Sequence, residues 1–464
     1  MSTQAALLTP LALRARRRIL RRILPYLFVL YIIAYLDRVN VGYAALEMSK
    51  ALGFTAEVFG FGAGIFFIGY FLLEIPGSII VEKWSARLWI ARIMISWGLL
   101  AILMGFIHTT TQFYLVRFLL GAAEAGFFPG IIVYLSHWFR YEDRAKAIAL
   151  FMAAIPISNI VGSPISGLLL GINWFQLAGW RWLFIIEGLP AIIFGIVTIF
   201  FLTDWPHQAK WLPADEREWI TSVLEQEKQA KLKGHSYRIF EAFKHREVLL
   251  LTAAYFLIVT SNYGLNFWLP VFVKKVSGSS NLIVSLIAAL PYCFYLTSML
   301  LVGWSSDRTG ERRWHTATSM LVVSAGLLLS AVFQDSLGLA VSMFCLASVG
   351  LGGYLPSFWP LPTSFLTGAS AAATIGLINS VGNLGGFVGP FVVGYLSTHS
   401  RGISETVISL PFVGRFAAGY LSTSAGSFFW GVLYLSLSAS LAACFILALR
   451  HRVAGPIPES LTQQ

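Results

Sequence analysis

The chain has 464 residues, of which 57% are hydrophobic and only 12% carry a charge. That balance excludes a soluble globular domain, in which about 25% of residues are charged. The net charge of +11 would suit nucleic-acid binding, but most of the basic residues fall in the terminal segments and in the polar segments between long apolar runs. We therefore expect a protein of the lipid bilayer with no nucleic-acid partner.

Twelve apolar runs follow one another along the chain, and each reaches the ~20 residues that a helix needs to cross a bilayer. They predict an all-α integral membrane protein with twelve transmembrane helices. The predicted spans are 22–45, 57–80, 89–107, 112–138, 144–171, 180–202, 248–273, 280–305, 314–333, 337–366, 371–398 and 416–449.

The basic residues predict which side of the membrane each loop faces. With a cytoplasmic N-terminus, most of the 33 Lys and Arg residues fall in the two termini and the even-numbered loops. This is the positive-inside bias, so we expect both termini in the cytoplasm and a multi-pass protein of the plasma (inner) membrane. The first run is too long for a signal peptide and is expected to remain as a helix.

The longest polar stretch, 203–247, divides the spans six and six. A linker there suits two packed bundles joined by one loop. We expect a cytoplasmic basic N-terminus at 1–21, a six-helix bundle at 22–202, a cytoplasmic linker at 203–247, a second six-helix bundle at 248–449 and a cytoplasmic tail at 450–464. We expect the chain to function as a monomer.

Charged residues of opposite sign lie deep inside two predicted spans. Asp37 and Arg38 lie in the first span and Arg117 and Glu124 in the fourth, whereas the spans beyond residue 248 contain no Asp, Glu, Lys or Arg. Each such charge costs about 2.5–3.5 kcal/mol to insert. The four could form a structural ion-pair network, or they could carry a proton and an anion across the membrane.

Two loops carry related motifs. One contains Gly303, Asp307, Arg308, Gly310, Arg312 and Arg313; the other contains Glu82, Lys83 and Arg87 at matching offsets, with Ser78 and Ser85 where the first has glycine. A carboxylate at a helix end can be held by an arginine and by the N-terminus of a facing helix. We predict that these residues form an inner gate; the alternative is that they only fix the topology.

The chain resembles a known family at these and other segments. Residues 303–313 are similar to the loop motif of the major facilitator superfamily. Residues 35–40, 66–70, 117–126, 179–188 and 379–386 resemble its anion:cation symporter branch, which includes tartrate, phthalate, nicotinate and hexonate permeases. The resemblance implies two pseudo-symmetric six-helix bundles, transport by alternating access and no cofactor.

The same resemblance implies roles for the buried charges. In that family the acids matching Asp37 and Glu124 carry the proton, and the first and fourth helices line the central cavity. We predict that Arg38 anchors the substrate and that Arg117 is the partner of the acids, although spacing alone does not decide which arginine touches substrate.

Polar and aromatic residues of several spans are predicted to line the substrate site, the alternative being interhelical hydrogen bonds and packing. They are Tyr35, Tyr70, Asn262, Tyr263, Trp268, Tyr292, Asn379 and Asn383. Glu74 and Glu187 also lie inside spans. We expect Glu74 to be a structural gate residue and Glu187 to pair with Arg181 or with a helix N-terminus.

These features predict a proton-coupled importer of a small organic carboxylate. An exchanger or exporter of the same fold is the alternative. An enzyme or receptor is disfavoured, because the chain has no H-E-x-x-H, Gly-x-Ser-x-Gly or Cys/His cluster and its eight histidines lie at span ends or in loops. We predict no metal site, because the three scattered cysteines lack zinc spacing.

Overall fold

The computed structural model describes residues 9–232, 245–362, 368–403 and 428–449, and every regular element in these ranges is helical. Twelve helical stretches there are long and apolar enough to cross a membrane. Large apolar side chains such as Phe200, Leu300 and Leu301 are more than half exposed on the outside, where hydrocarbon would cover them. The prediction of an all-α protein with twelve spans is confirmed.

Helices α1 to α8 form the first half of the described chain. They are α1 Pro10–Leu52, α2 Ala56–Lys83, α3 Ala86–Met104, α4 Thr110–Glu124, α5 Phe127–Trp138, α6 Tyr141–Met152, α7 Ala154–Leu170 and α8 Gly179–Phe201. Thr55, Ser85 and Thr109 begin α2, α3 and α4 as N-caps, because each side chain accepts a hydrogen bond from an amide of the first turn.

The rest of the described chain contains a linker helix and seven further helices. They are α9 Ala214–Leu232, α10 Arg246–Ser277, α11 Asn281–Thr309, α12 Arg313–Val332, α13 Leu337–Phe358, α14 Gly368–Asn383, α15 Gly385–Thr398 and α16 Phe429–Leu447. Helix α9 packs on α1, where Arg18 pairs with Glu216 at 3.0 Å.

Three predicted spans consist of two helices each: α4 with α5, α6 with α7, and α14 with α15. The break in the fourth span occurs at Gly126, whose φ of +85° favours glycine. A side chain there would also lie 3.3 Å from the Gly77 backbone. The first helix differs too, since it begins at Pro10 rather than near residue 22 and thus includes much of the predicted N-terminal segment.

The helices pack as two bundles. In the first, α1 contacts α7 and α8, α2 contacts α4, and α3 contacts α8; in the second, α13 contacts α11 and α12, and α16 contacts α10 and α12. The bundles meet along α2 with α15, α7 with α11, and α1 with α10. Glycine allows the closest approach, because a Cβ on Gly60 would lie 2.4 Å from the Pro390 carbonyl oxygen.

We name the two ends of the molecule by the turns that follow α1 and α2, the Gly53 end and the Trp84 end. The bundles are hydrogen-bonded at the Gly53 end, where the Glu57 amide donates to Thr398 over 3.1 Å and Asn281 donates to Glu47 over 2.7 Å. The two bundles therefore close against each other at this end.

Candidate functional site

A buried ion pair lies at the centre of the molecule, between the two bundles. Arg38 of α1 donates to the Glu124 carboxylate at the last turn of α4, and both side chains are almost fully buried. The second guanidinium nitrogen of Arg38 donates to the Tyr263 hydroxyl of α10 over 3.0 Å. One arginine thus links two helices of the first bundle to the second bundle.

Aromatic rings surround this guanidinium. The Arg38 Cζ lies 5.3 Å from the Tyr70 ring centre, 5.5 Å from that of Phe66 and 5.8 Å from that of Tyr35. Ring faces stabilise a cation that has lost water, and phenol hydroxyls offer hydrogen bonds to a ligand. The structure therefore brings Tyr35, Tyr70 and Tyr263 together around Arg38.

Asp37 faces away from the ion pair, into the first bundle. Its carboxylate accepts a 2.5 Å hydrogen bond from the Trp97 indole of α3 and a 3.4 Å bond from Asn40. This agrees with the helical offset of about 100° between neighbouring side chains. Asp37 and Arg38 therefore lie in different surroundings. Arg38 faces the other bundle, and Asp37 faces the core of the first bundle.

Arg117 does not pair with an acid in the described structure, contrary to our expectation. Its guanidinium donates to the carbonyl oxygens of Gly62, over 3.3 Å, and Ala63, over 3.0 Å, on α2. The seven-residue separation of Arg117 and Glu124 corresponds to a rise of about 10 Å, so Arg117 lies at the middle of α4, about two turns before Glu124. Arg38 rather than Arg117 forms the ion pair with Glu124, while Arg117 stays within electrostatic range of Glu124 and Asp37.

A row of amides and a hydroxyl lies on the second bundle. Tyr292 donates to the Asn266 side-chain oxygen over 2.6 Å, and Asn266 donates to Asn262 over 3.2 Å. The four-residue spacing of Asn262 and Asn266 places both on one helix face. Trp268 instead donates to the Pro390 carbonyl over 3.0 Å, a contact typical of helix packing.

A second buried carboxylate connects the bundles closer to the Trp84 end. Asn379 of α14 donates to Glu74 of α2 over 2.5 Å, and Ser380 and Asn383 lie beside the same carboxylate. The other Glu74 oxygen has no hydrogen-bond partner among the described residues. Asn379 and Asn383 thus meet a protein carboxylate, and whether they also touch substrate stays a prediction.

Glu187 does not pair with Arg181, which was one of our two expectations. Arg181, in the first turn of α8, donates over 2.7 Å to the carbonyl of Gly105, which follows the last residue of α3. Glu187 accepts a 3.0 Å hydrogen bond from Ser166 of α7, and the Asn40 side chain reaches the same carboxylate. The partners come from two other helices, which local spacing could not reveal.

An arginine of each predicted gate motif takes part in an ion pair. Arg312 lies 2.7 Å from Asp307, which is largely exposed, so the pair contributes little to stability. Gly310 ends α11 with a φ of +70°, and Arg313 donates to the Leu447 carbonyl. The Arg308 guanidinium lies 5.4 Å from the Trp304 ring, and Gly303 lies close to Pro356.

In the first half, the partner of the gate motif is a residue that the sequence did not single out. The Arg87 amide donates to Asp204 over 2.9 Å, and Ser85 donates to the same carboxylate over 2.7 Å. The side chains of Glu82 and Lys83 lie outside the described part of the structure. A clamp between a helix start and Asp204 is therefore present, while its role in gating stays a prediction.

The chain is similar to transport proteins over most of its length. It is 48% identical over 384 residues to a protein of Agrobacterium vitis named "Putative tartrate transporter", covering 82% of this chain and 88% of the relative. It is 39% identical over 389 residues to a "Quinolone resistance transporter" of Acinetobacter baumannii, covering 83% of this chain and 88% of the relative.

The fold also matches a solved structure, a bacterial homolog of the human lysosomal transporter Spinster. The two share a TM-score of 0.74 at 18% identity, over 95% of this chain and 99% of that chain. The family model of the Major Facilitator Superfamily matches residues 27–390. With twelve spans in two bundles around a buried ion pair, the chain belongs to the Major Facilitator Superfamily, whose members are membrane transporters rather than enzymes.

Proposed function

We propose that the protein is a proton-coupled symporter that takes up a small organic carboxylate. The observation that carries this proposal is the buried Arg38–Glu124 ion pair, which Tyr263 links to the other bundle. A buried ion pair is a poor means of filling a core, because apolar side chains of similar volume are often as stable or more so. It suits a site in which one partner is exchanged during a cycle.

The exchange couples an anion to a proton. An entering carboxylate offers the Arg38 guanidinium a planar, bidentate acceptor, which is the geometry that arginine binds best. When it displaces Glu124, that side chain becomes a buried anion without its cation and takes up a proton to become neutral. Anion and proton are thereby loaded together, and both leave when the substrate departs.

The lining suits an anion that also carries hydroxyl groups or a ring. Tyr35 and Tyr70 flank Arg38, and Asn262 and Tyr292 belong to the polar row of the second bundle. Hydroxyl and amide groups in the membrane interior need partners, and a polar substrate would provide them. The relative named for tartrate supports a small carboxylate of this kind.

Alternating access would follow from rocking of the two bundles about this site. From the positive-inside bias, the proposal has the Trp84 end and both termini on the cytoplasmic side of the plasma (inner) membrane. The Gly53 end, closed in the structure, would then face outward. The Asp307–Arg312 and Arg87–Asp204 pairs lie at the inner end, each within one bundle, and the motifs that contain Asp307 and Arg87 are proposed to take part in gating there. Residues 203–247 would be the linker of a monomeric transporter.

An exporter or exchanger of the same fold is the second candidate. The observation that favours it is the similarity to a protein named for quinolone resistance. The two candidates differ in direction and in driving force, so a transport assay with imposed gradients separates them.

The test is uptake by the purified protein in proteoliposomes. A panel of carboxylates that begins with tartrate is offered with an inward proton gradient, an inward sodium gradient or none. We expect accumulation of at least one carboxylate only with the proton gradient. Accumulation driven by sodium alone would contradict proton-coupled uptake. So would an inward proton gradient that drives the substrate out of the vesicles instead of into them.

A further inference from the structure

Glu187 is a buried carboxylate of the first bundle that has no role in the mechanism above. Glu187 of α8 is 6% exposed, and it accepts a hydrogen bond from Ser166 while its other oxygen has no partner among the described residues. The Asn40 side chain reaches it from α1. The side-chain oxygen of Asn40, itself 1% exposed, is also without a donor in the described structure.

These two unpartnered oxygens lie on neighbouring side chains, and both are acceptors. A buried acceptor without a donor is unfavourable, and a buried anion without a counter-charge is more so. One proton on Glu187 would remove this uncompensated charge.

Asn40 also connects Glu187 to Asp37. The Asn40 amide donates to Asp37 over 3.4 Å, so a single amide lies between two carboxyl groups. Asp37 in turn lies within electrostatic range of Glu124, the acid of the substrate site. Asp37 is therefore within electrostatic range of both Glu187 and Glu124, and of the Arg117 guanidinium.

The charged and titratable groups on the helices that pack against α8 leave Glu187 without a basic partner. On α1 the nearest are Asp37 and Tyr43, whose hydroxyl donates to Ser163. Helix α7 has no titratable residue, and on α3 the basic residues Arg87 and Arg92 lie in the first two turns, away from the Gly98 backbone that faces the glycine after Glu187. Arg181 of α8 itself is bonded elsewhere.

We propose that Asp37, Asn40 and Glu187 form a proton-holding unit, in which Glu187 is a third proton-carrying carboxyl that exchanges its proton with Asp37 during transport. The inference rests on the proposed function for its role in coupling. A metal cation fits less well, because the N–H groups of Trp97 and Asn40 already point at the Asp37 carboxylate.

The direct test is infrared difference spectroscopy of the purified protein as the pH is raised. The parent should lose the carbonyl stretch of a protonated carboxyl group, and Glu187→Gln should lack one such component. Identical spectra for the parent and Glu187→Gln overturn the proposal. A component that is absent in sodium buffer and appears in its absence would assign the site to sodium instead, which also overturns it.

A second variant covers the case in which Glu187→Gln does not fold. Ser166→Ala keeps the carboxyl but removes its one hydroxyl donor, so the ionised form is disfavoured and the band should vanish at a higher pH than in the parent. Ser158→Ala is the matched control, because Ser158 is buried on the same helix but donates only to the backbone carbonyl of Ile155. Equal midpoints for the two alanine variants overturn the proposal.

Transport then tests the coupling role. Glu187→Gln should lose at least tenfold in proton-driven accumulation and show a flatter pH profile, and Glu187→Asp should recover part of both. If the parent shows no proton-driven accumulation, the proposed function fails. If the parent accumulates substrate and Glu187→Gln has the same pH profile, only the third proton carrier fails.

Discussion

At the scale of single residues, Arg38 makes the contacts on which the proposed transport cycle depends. Its guanidinium binds Glu124 and Tyr263 at once, lies among aromatic rings and is only 9% exposed to solvent. At such a site the planar guanidinium of arginine, with its paired donors, cannot be replaced without loss by the single ammonium group of lysine.

Replacing Arg38 by lysine tests that distinction. Arg38→Lys keeps the charge beside Glu124 but removes one of two donors to a carboxylate, which costs about 1.5–3 kcal/mol for a charged hydrogen bond. We expect substrate affinity to fall about tenfold to a hundredfold with the protein still folded, measured as substrate-induced thermal stabilisation. Arg87→Lys at the gate motif is the control. Parent-like affinity in Arg38→Lys would place the anion's anchor elsewhere.

Arg117 is expected to behave differently, because its donors reach backbone carbonyls of α2. Arg117→Lys replaces two separate guanidinium donors by a single ammonium nitrogen and loses the planar fork, so the midpoint of thermal unfolding should fall more than substrate affinity does. A variant with the parent's melting temperature but no substrate binding would show that Arg117, rather than Arg38, holds the anion.

At the scale of helices, the interface between α2 and α15 depends on glycine, which has no side chain to keep the two backbones apart. A Cβ on Gly60 would lie 2.4 Å from the Pro390 carbonyl oxygen, closer than real contacts allow. The bundles can meet at the Gly53 end only because glycine is there.

Gly60→Ala should therefore hinder closure of the Gly53 end. We expect the transport rate to fall about tenfold or more, which corresponds to roughly 1.4 kcal/mol. Gly376→Ala in α14 is the matched control, since a Cβ there meets no atom within 4 Å. Equal rates for both variants would mean that the close contact is not part of the cycle.

Much of the helix arrangement could be predicted from the sequence, because an apolar run of bilayer length has few other uses. The opposite facing of Asp37 and Arg38 also follows from helix geometry. The partner of Glu124 could not be predicted in this way, because it depends on how α1 is rotated against α4. The contacts of Glu187 with Ser166 and Asn40 likewise depend on how three helices pack together. The break at Gly126 depends on a close approach of this residue to α2.

At the scale of the whole molecule, the linker predicts how the protein sits in the membrane. Helix α9 is held against the start of α1 by the Arg18–Glu216 pair, so both must lie on the same side. In a cysteine-free background, Glu225→Cys on the exposed face of α9 should react only with thiol reagents that are added from the cytoplasmic side. Reaction only from the outside would reverse the proposed orientation.

The central claim is that binding of the anion to Arg38 releases Glu124 to take up a proton. The most direct measurement is the number of protons that the purified, weakly buffered protein takes up when a transported carboxylate is added. The parent should take up protons in proportion to the anion bound, and Glu124→Gln should bind the anion with a clearly smaller uptake. Equal proton uptake by the parent and Glu124→Gln, or none by the parent, would contradict this account.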